Sequence, residues 1–308
     1  MRAAIVGLGG VGGYYGGKLA LQYAGSREHQ VIFIARGAHL KAIQENGLRL
    51  VTVAGEFTAI PALATDSPGD AGPFDLVLFC VKSYGLEEAA RRIKDNLHDR
   101  TVIIPLLNGV NMAERLRAVL PAGIILGGCV YISTRIEGPG AVRQVGGSCQ
   151  LIFGPEQGAD TAPFLPVLTF LKNAGIPAEL VPDIRIPLWN KYIFIDPMAG
   201  LTAMLGKVFG EILEDEERKR TLEALMREVA EVAKARGVSL PEDIVPATIA
   251  KAALFPKGTK TSFQLDFEKG NAVELDIFTG YMVAAGKKLG IPVPMHEQVH
   301  AALLKKDR

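Results

Sequence analysis

A glycine-rich segment at the start of the chain is the first candidate for binding a ligand. Gly7-Leu8-Gly9-Gly10-Val11-Gly12 has the spacing GxGxxG, directly after the apolar run Ala3-Ala4-Ile5-Val6 and before the helix-length stretch Tyr14 to Tyr23. A strand buried on both faces reads as such an uninterrupted apolar run. In that setting Gly7 can make the tight turn, Gly9 lets the backbone approach a pyrophosphate, and Gly12 lets the helix pack close to the strand. The anion then meets free N–H groups at the helix N-terminus. The expectation is a dinucleotide site built by Gly7, Leu8, Gly9, Gly10, Val11 and Gly12. The plainer alternative is a glycine-rich turn without a ligand.

A second buried-type strand, Val31-Ile32-Phe33-Ile34-Ala35, ends at Arg36-Gly37. A dinucleotide fold places the adenosine ribose at that end, where an acidic residue takes the 2′-hydroxyl of NAD. No acid is present. Arg36 can instead pair with a 2′-phosphate, and His39 and Lys41 in the next turn can add positive charge, so NADPH or NADP is expected rather than NAD. The alternative is an arginine that merely ends a strand in solvent. Lys82 follows the apolar strand Phe74 to Val81, and Asn108 follows Thr101 to Leu107. Strand C-terminal ends build the ligand crevice of an open α/β sheet, so both lie on the chemically useful edge. Lysines and asparagines in loops are equally common as solvated residues.

In the C-terminal part, Lys191 interrupts the apolar run Ile186-Pro187-Leu188-Trp189-Asn190-Lys191-Tyr192-Ile193-Phe194-Ile195. Such a lysine usually snorkels to water. Partly buried and close to a carboxylate, it could hold its ammonium against a substrate oxygen and act as a general acid. Ser262 carries a hydroxyl suited to a carboxylate, and Glu274 could orient or tune a lysine. Their plain readings are a helix cap for Ser262 and first-turn acids for Glu274 and Asp276.

These residues need a scaffold, and the pattern around them is that of an α/β protein. Leu48 to Val53 and Glu56 to Ile60 alternate around Ala54-Gly55, which predicts a hairpin inserted in the sheet. Ile124 to Ile132, Ala141 to Val145 and Gln150 to Phe153 read as an antiparallel extension of that sheet. Ala178 to Val181 reads as a last strand. After Pro182 the pattern changes to helix-like stretches: Ile184 to Leu205, Glu216 to Arg236, Glu242 to Leu254, Asp276 to Leu289 and Met295 to Leu304. The expected fold class is α/β: a Rossmann-type dinucleotide-binding domain over residues 1–182 followed by an all-α substrate and catalytic domain over 183–308.

Bulk composition narrows the partners. The 308 residues are 48% hydrophobic, enough for a large core in two domains. With 34 basic and 33 acidic residues the formal charge is +1. No broad surface for nucleic acid or anionic membrane is implied. Cys80, Cys129 and Cys149 are odd in number and widely spaced, which suits reduced thiols better than a disulfide framework or a metal site. With no leader-like start and no apolar run of spanning length, the expectation is a soluble cytoplasmic protein.

The chain resembles the ketopantoate reductases (2-dehydropantoate 2-reductases) from end to end. The resemblance is carried by Gly7 to Gly12, Ala35-Arg36-Gly37-Ala38-His39, Cys80-Val81-Lys82-Ser83, Asn108-Gly109-Val110, Leu188-Trp189-Asn190-Lys191, Leu201-Thr202-Ala203, Thr261-Ser262, and Glu274-Leu275-Asp276. It implies NADPH-dependent reduction of ketopantoate to pantoate in pantothenate biosynthesis, with the active site between a Rossmann domain and a helical one. By position it implies Lys191 as general acid, Glu274 as its acidic partner and Ser262 as a contact to the substrate carboxylate. Asn108 would touch the nicotinamide side and the reacting oxygen, and Lys82 would lie beside the cofactor. Helical second domains of such enzymes often pair, which leaves a homodimer open, although no surface stripe compels it.

The departures concern the substrate. The family usually presents asparagines four and eight residues after the lysine, where this chain has Ile195 and Ala199. A further asparagine before a glycine is replaced in Phe209-Gly210, and the Asn-Gly after the acidic pair is Thr279-Gly280. Reductase chemistry is therefore better supported than specificity for a hydroxylated acid. The competing readings are a reductase of a more apolar 2-oxo acid, a non-catalytic NADPH-binding sensor, and a dehydrogenase of a 3-hydroxy acid or an amine.

Overall fold

A computed structural model describes residues 1–306 and divides the chain into two compact units. The first comprises Met1–Leu107 and Asn111–Ile184; the second comprises Asn108–Val110 together with the chain from Arg185 onward.

In the first unit, β1 (Arg2–Val6) leads through the glycine turn into α1 (Gly10–Gln22), and β2 (Gln30–Ile34) into α2 (Gly37–Asn46). The hairpin of β3 (Leu48–Thr52) and β4 (Gly55–Ala59) precedes β5 (Leu63–Thr65), β6 (Leu76–Phe79) and α3 (Leu86–Ile93). Then come β7 (Val102–Pro105), α4 (Met112–Arg117), β8 (Ile124–Ile125), β9 (Gly127–Gly138), β10 (Ala141–Gly154), α5 (Leu165–Asn173) and β11 (Ala178–Leu180).

Six of these strands form a parallel sheet in the order β5-β2-β1-β6-β7-β8. Its inner strands are apolar on both faces because both faces are covered: Ala3, Ala4, Ile5, Leu76, Val77, Leu78 and Phe79 are fully buried. The direction of winding reverses between β1 and β6, the place where open α/β sheets form a crevice at their C-terminal edge.

Five strands form a second sheet, in which β11-β10-β3-β4 run in that order and β9 pairs antiparallel with β10. Two expectations are corrected here. The hairpin over 48–60 is not inserted in the parallel sheet; its β3 pairs with β10. Only Ile124–Ile125 extends the parallel sheet, and it does so in parallel, whereas residues 127–154 build the second sheet. Burial and alternation reveal that a segment is a strand, but not which distant strand it will pair with.

Helix α1 packs against both sheets, and glycines beyond the GxGxxG spacing make that fit. A Cβ on Gly13 would stand 2.5 Å from Val142 of β10, and one on Gly17 3.0 Å from Leu50 of β3. On the other side, a Cβ on Gly16 would stand 3.0 Å from Phe33 and 3.1 Å from Ile5 of the parallel sheet. Alanine at these positions would push two sheets apart.

The second unit is helical: α6 (Arg185–Leu205), α7 (Phe209–Leu213), α8 (Glu216–Ala235), α9 (Ile244–Ala252), α10 (Ser262–Glu268), α11 (Thr279–Leu289) and α12 (Pro294–Lys306). Helix α6 is apolar around much of its circumference, which suits a central helix touched on several sides by α8, α10, α12 and α9. The ends obey local chemistry. Asp215 caps α8 by accepting from the backbone N–H groups of Glu217 (3.1 Å) and Arg218 (2.9 Å). Gly290, in the left-handed region at φ 69°, ends α11. Among the described residues no helix is long and apolar enough to cross a membrane.

Candidate active site

The glycine turn at the end of β1 gives each glycine of the spacing a separate physical role. Gly7 sits at φ +93°, a conformation costly for other residues, and a Cβ there would also meet Val81 at 2.8 Å. A Cβ on Gly12 would stand 1.9 Å from the carbonyl oxygen of Gly7, so the helix comes this close to the strand end only without a side chain. At Gly9 a Cβ would meet nothing within 4 Å: this part of the turn is open, with the first turn of α1 beginning at Gly10. Leu8 is buried, and Val11 and Gly10 are partly so. The arrangement fits a dinucleotide: an open backbone rim, first-turn N–H groups without intrahelical partners, and a helix dipole favouring an anion.

These glycines predict opposite outcomes on substitution. Gly12→Ala forces a backbone clash that the turn must relieve by moving, at a cost of about 3 kcal/mol, a fall of roughly 4–5 °C in the melting midpoint. Gly9→Ala leaves the midpoint near that of the parent. Thermal melts followed by circular dichroism compare the two, and equal losses would contradict the geometry.

Arg36 is exposed at the end of β2 and stands at the N-cap position of α2. Lys82 is exposed and follows β6, which lies next to β1 in the sheet. Because β2, β1 and β6 are neighbours, Arg36, the glycine turn and Lys82 share one edge of the parallel sheet. His39 does not join them as a cation: burial pulls its imidazole below the ordinary value, and its Nδ1 accepts from the N–H of Gly140 at 3.0 Å. Lys41 pairs with Glu45 at 3.9 Å on the surface.

In the second unit the structure brings two of the sequence-selected residues into direct contact. The Lys191 ammonium donates to Asn108 Oδ1 at 2.9 Å, and both residues are partly buried. Asn108 follows β7 in the chain, yet its short segment belongs to the same compact unit as Lys191. The lysine is therefore held inward on α6 instead of running out to water. Next to it, the fully buried Tyr192 donates its hydroxyl to the carbonyl oxygens of Ile277 (3.0 Å) and Phe278 (3.1 Å). Burial keeps this phenol protonated, raising its pKa well above the usual value. That contact ties the turn following Glu274 to α6, and Glu274 itself is 7% exposed. Tyr192 was not selected from the sequence; its position directly after Lys191 was the signal available.

The plain readings of the remaining residues are revised. Thr261, not Ser262, caps α10, accepting from the N–H of Gln264 at 3.0 Å; Ser262 is the exposed first residue of that helix. Glu274 and Asp276 are not first-turn acids of α11, which begins at Thr279; they lie in the turn before it.

A second charged group in this unit was not legible beforehand. His296 is fully buried, with Nε2 2.7 Å from Asp196 Oδ2 and Nδ1 2.5 Å from Glu228 Oε2. Glu228 also accepts from the N–H groups of Met295 (2.7 Å) and His296 (3.0 Å), capping α12 from α8. Burial alone would lower the imidazole pKa, but Asp196 and Glu228 outweigh it and raise the value to about 9. This cluster clamps α6, α8 and α12 together.

Comparison with known proteins agrees with this layout. The family model Ketopantoate reductase PanE/ApbA matches residues 3–158, and its C-terminal companion, Ketopantoate reductase PanE/ApbA C terminal, matches 183–307. The uncharacterized oxidoreductase YkpB of Bacillus subtilis (strain 168) is 29% identical over 98% of this chain and 98% of its own length. The 2-dehydropantoate 2-reductase of Mesorhizobium japonicum is also 29% identical, over 98% of this chain and 96% of its own. The crystal structure of the PanE/ApbA family ketopantoate reductase from Ralstonia eutropha JMP134 superposes with a TM-score of 0.89 at 34% identity, covering 100% of this chain and 98% of that one.

Proposed function

The chain belongs to the ketopantoate reductase PanE/ApbA family, a family of oxidoreductases that act on a ketone or its alcohol with a nicotinamide dinucleotide, and from that premise we propose that it reduces a 2-oxo acid with NADPH. The observation that carries the proposal is the inward-held Lys191, paired with Asn108 at 2.9 Å on a mostly apolar helix. Equal identity to a named 2-dehydropantoate reductase and to an oxidoreductase of unassigned substrate does not choose the acid. Ketopantoate, reduced to pantoate, is the first substrate to test.

The glycine turn would hold the pyrophosphate, Arg36 the 2′-phosphate, and Lys82 would lie beside the cofactor. A bound nicotinamide supplies hydride to the ketone carbon. Lys191 delivers a proton from Nζ to the carbonyl oxygen as that oxygen becomes an alkoxide. Asn108 holds the ammonium and contacts the same oxygen. The buried carboxyl of Glu274 favours the charged form of Lys191, and the exposed hydroxyl of Ser262 takes the substrate carboxylate. The reading includes a cytoplasmic location, since Cys80, Cys129 and Cys149 are in no disulfide, and a homodimer, which sedimentation at micromolar concentration distinguishes from a monomer.

Following NADPH absorbance across a panel of 2-oxo acids tests the proposal. Oxidation with at least one acid is expected; tight NADPH binding with no turnover of any of them would point to a sensor. Arg36→Ala should raise the NADPH dissociation constant roughly 10- to 100-fold, the loss of one charge-assisted contact, with little change for NADH. Fluorescence titration with both nucleotides reads this, and equal effects on the two would remove Arg36 from phosphate recognition.

A further inference from the structure

Helix α6 carries more than the lysine. On its surface Phe194 and Ile195, three and four residues on, flank Lys191, and this stretch precedes Pro197, which lies inside the helix. Neither offers a hydrogen bond. The Phe194 ring stacks on Phe255 (centroids 5.4 Å apart, planes at 20°) and meets Phe209 edge-on at 6.0 Å. Phe209 and Phe255 close the triangle at 5.6 Å.

Three separate segments supply these rings, and the backbone holds them in register. Phe209 begins α7, and Phe255 follows α9. The N–H of Gly210 donates to the carbonyl of Lys257 at 2.8 Å, and that of Phe209 to Thr259 at 3.1 Å. A Cβ on Gly210 would stand 2.7 Å from Lys257, so the two segments touch backbone to backbone. Phe209 is buried, Phe194 partly so, but Phe255 remains 45% exposed and its neighbour Leu254 84% exposed. A core cluster would be sealed; this one presents aromatic surface beside the proton donor.

We propose that the wall formed by Phe194, Phe209 and Phe255 receives the side chain of the substrate, and that this side chain is an aromatic ring. The inference rests on the 2-oxo acid reductase reading and names the class of acid. Aromatic rings pair edge-on or offset at the spacings already present in the triangle, so a fourth ring extends the same packing. A hydroxylated side chain laid there would lose water without gaining a partner. The reaction is otherwise unchanged: the acid gains hydride at its ketone carbon and a proton at its oxygen, giving the 2-hydroxy acid, while NADPH becomes NADP.

The test measures kcat/KM at saturating NADPH for phenylglyoxylate, phenylpyruvate, ketopantoate and pyruvate, in the parent protein and in Phe255→Ala. Phe255 is half exposed at the end of a helix, and a thermal melt checks that the variant folds. The expected result is a preference for an aromatic acid over ketopantoate of roughly tenfold or more, with that ratio falling about tenfold in the variant. A preference for ketopantoate overturns the inference and leaves the reductase reading standing. An aromatic preference unaltered by Phe255→Ala overturns the role of the phenylalanine wall. Binding of NADPH with no acid reduced overturns the reading on which the inference rests.

Discussion

Replacing Lys191 with alanine lowers turnover of the best 2-oxo acid by roughly 10²- to 10⁴-fold, the usual loss when a positioned proton donor is removed. NADPH affinity is expected to stay near that of the parent, since the proposed function assigns the nucleotide to the glycine turn and Arg36 of the first unit. The ketone oxygen acquires its charge as hydride arrives at the neighbouring carbon. A proton available at that moment stabilises the transition state more than the bound ketone, so the effect falls on kcat as well as kcat/KM. The truncation also leaves Asn108 Oδ1 without the ammonium it accepts from at 2.9 Å. Part of the loss is then a misplaced Asn108, and a Lys191→Met variant of similar length separates packing from proton donation. Steady-state kinetics with a parallel NADPH titration decide the matter, and turnover at the parent level in either variant excludes Lys191 from the chemistry.

The second large effect concerns stability. His296 has both ring nitrogens on carboxylate oxygens, at 2.7 Å and 2.5 Å, which calls for two N–H donors and hence an imidazolium. His296→Ala leaves Asp196 and Glu228 in a buried site without their shared cation, a change that costs about 3–5 kcal/mol. For a chain of this size the melting midpoint drops by roughly 5–8 °C. The pH dependence has a definite sign. The folded pKa is raised to about 9 from the ordinary 6.5, so the cluster contributes fully below the ordinary value and is lost as pH rises through about 9. That contribution is on the order of 3 kcal/mol. Denaturant melts between pH 6 and pH 10 should show the parent losing stability with rising pH and His296→Ala losing much less. Parallel curves for the two proteins would show that His296 is not the titrating group.

The clamp also bears on catalysis without touching substrate. Asp196 lies five residues beyond Lys191 on α6, and Glu228 fixes the start of α12 through two backbone N–H groups. Loosening the clamp frees the helix that aims the ammonium. His296→Ala is therefore expected to lower kcat at temperatures well below its own melting range.

Much of the geometry at the N-terminal glycine turn was legible because it is local. The turn at Gly7 needs a positive φ, the approach of Gly12 to Gly7 is decided within six residues, and Arg36 follows its strand directly. The helical character of the second unit was equally legible, since periodicity is a property of neighbouring residues. Lys191 stood out as a charge on an apolar helix, but nothing near it disclosed where the ammonium goes.

What the amino-acid order made readable, then, is most of the strands, the longer helices, the glycine turn and the shortlist of reactive side chains, all governed by contacts a few residues apart. Tertiary structure alone decided that β3 and β4 join β10 in a second sheet, that Asn108 meets Lys191 across 83 positions, and that Asp196, Glu228 and His296 share one buried charge across separations of 68 and 100. The physical reason is the same in each case. A polar side chain carries the same chemical label in water or in a core, and only the packing of distant segments settles which of the two surrounds it.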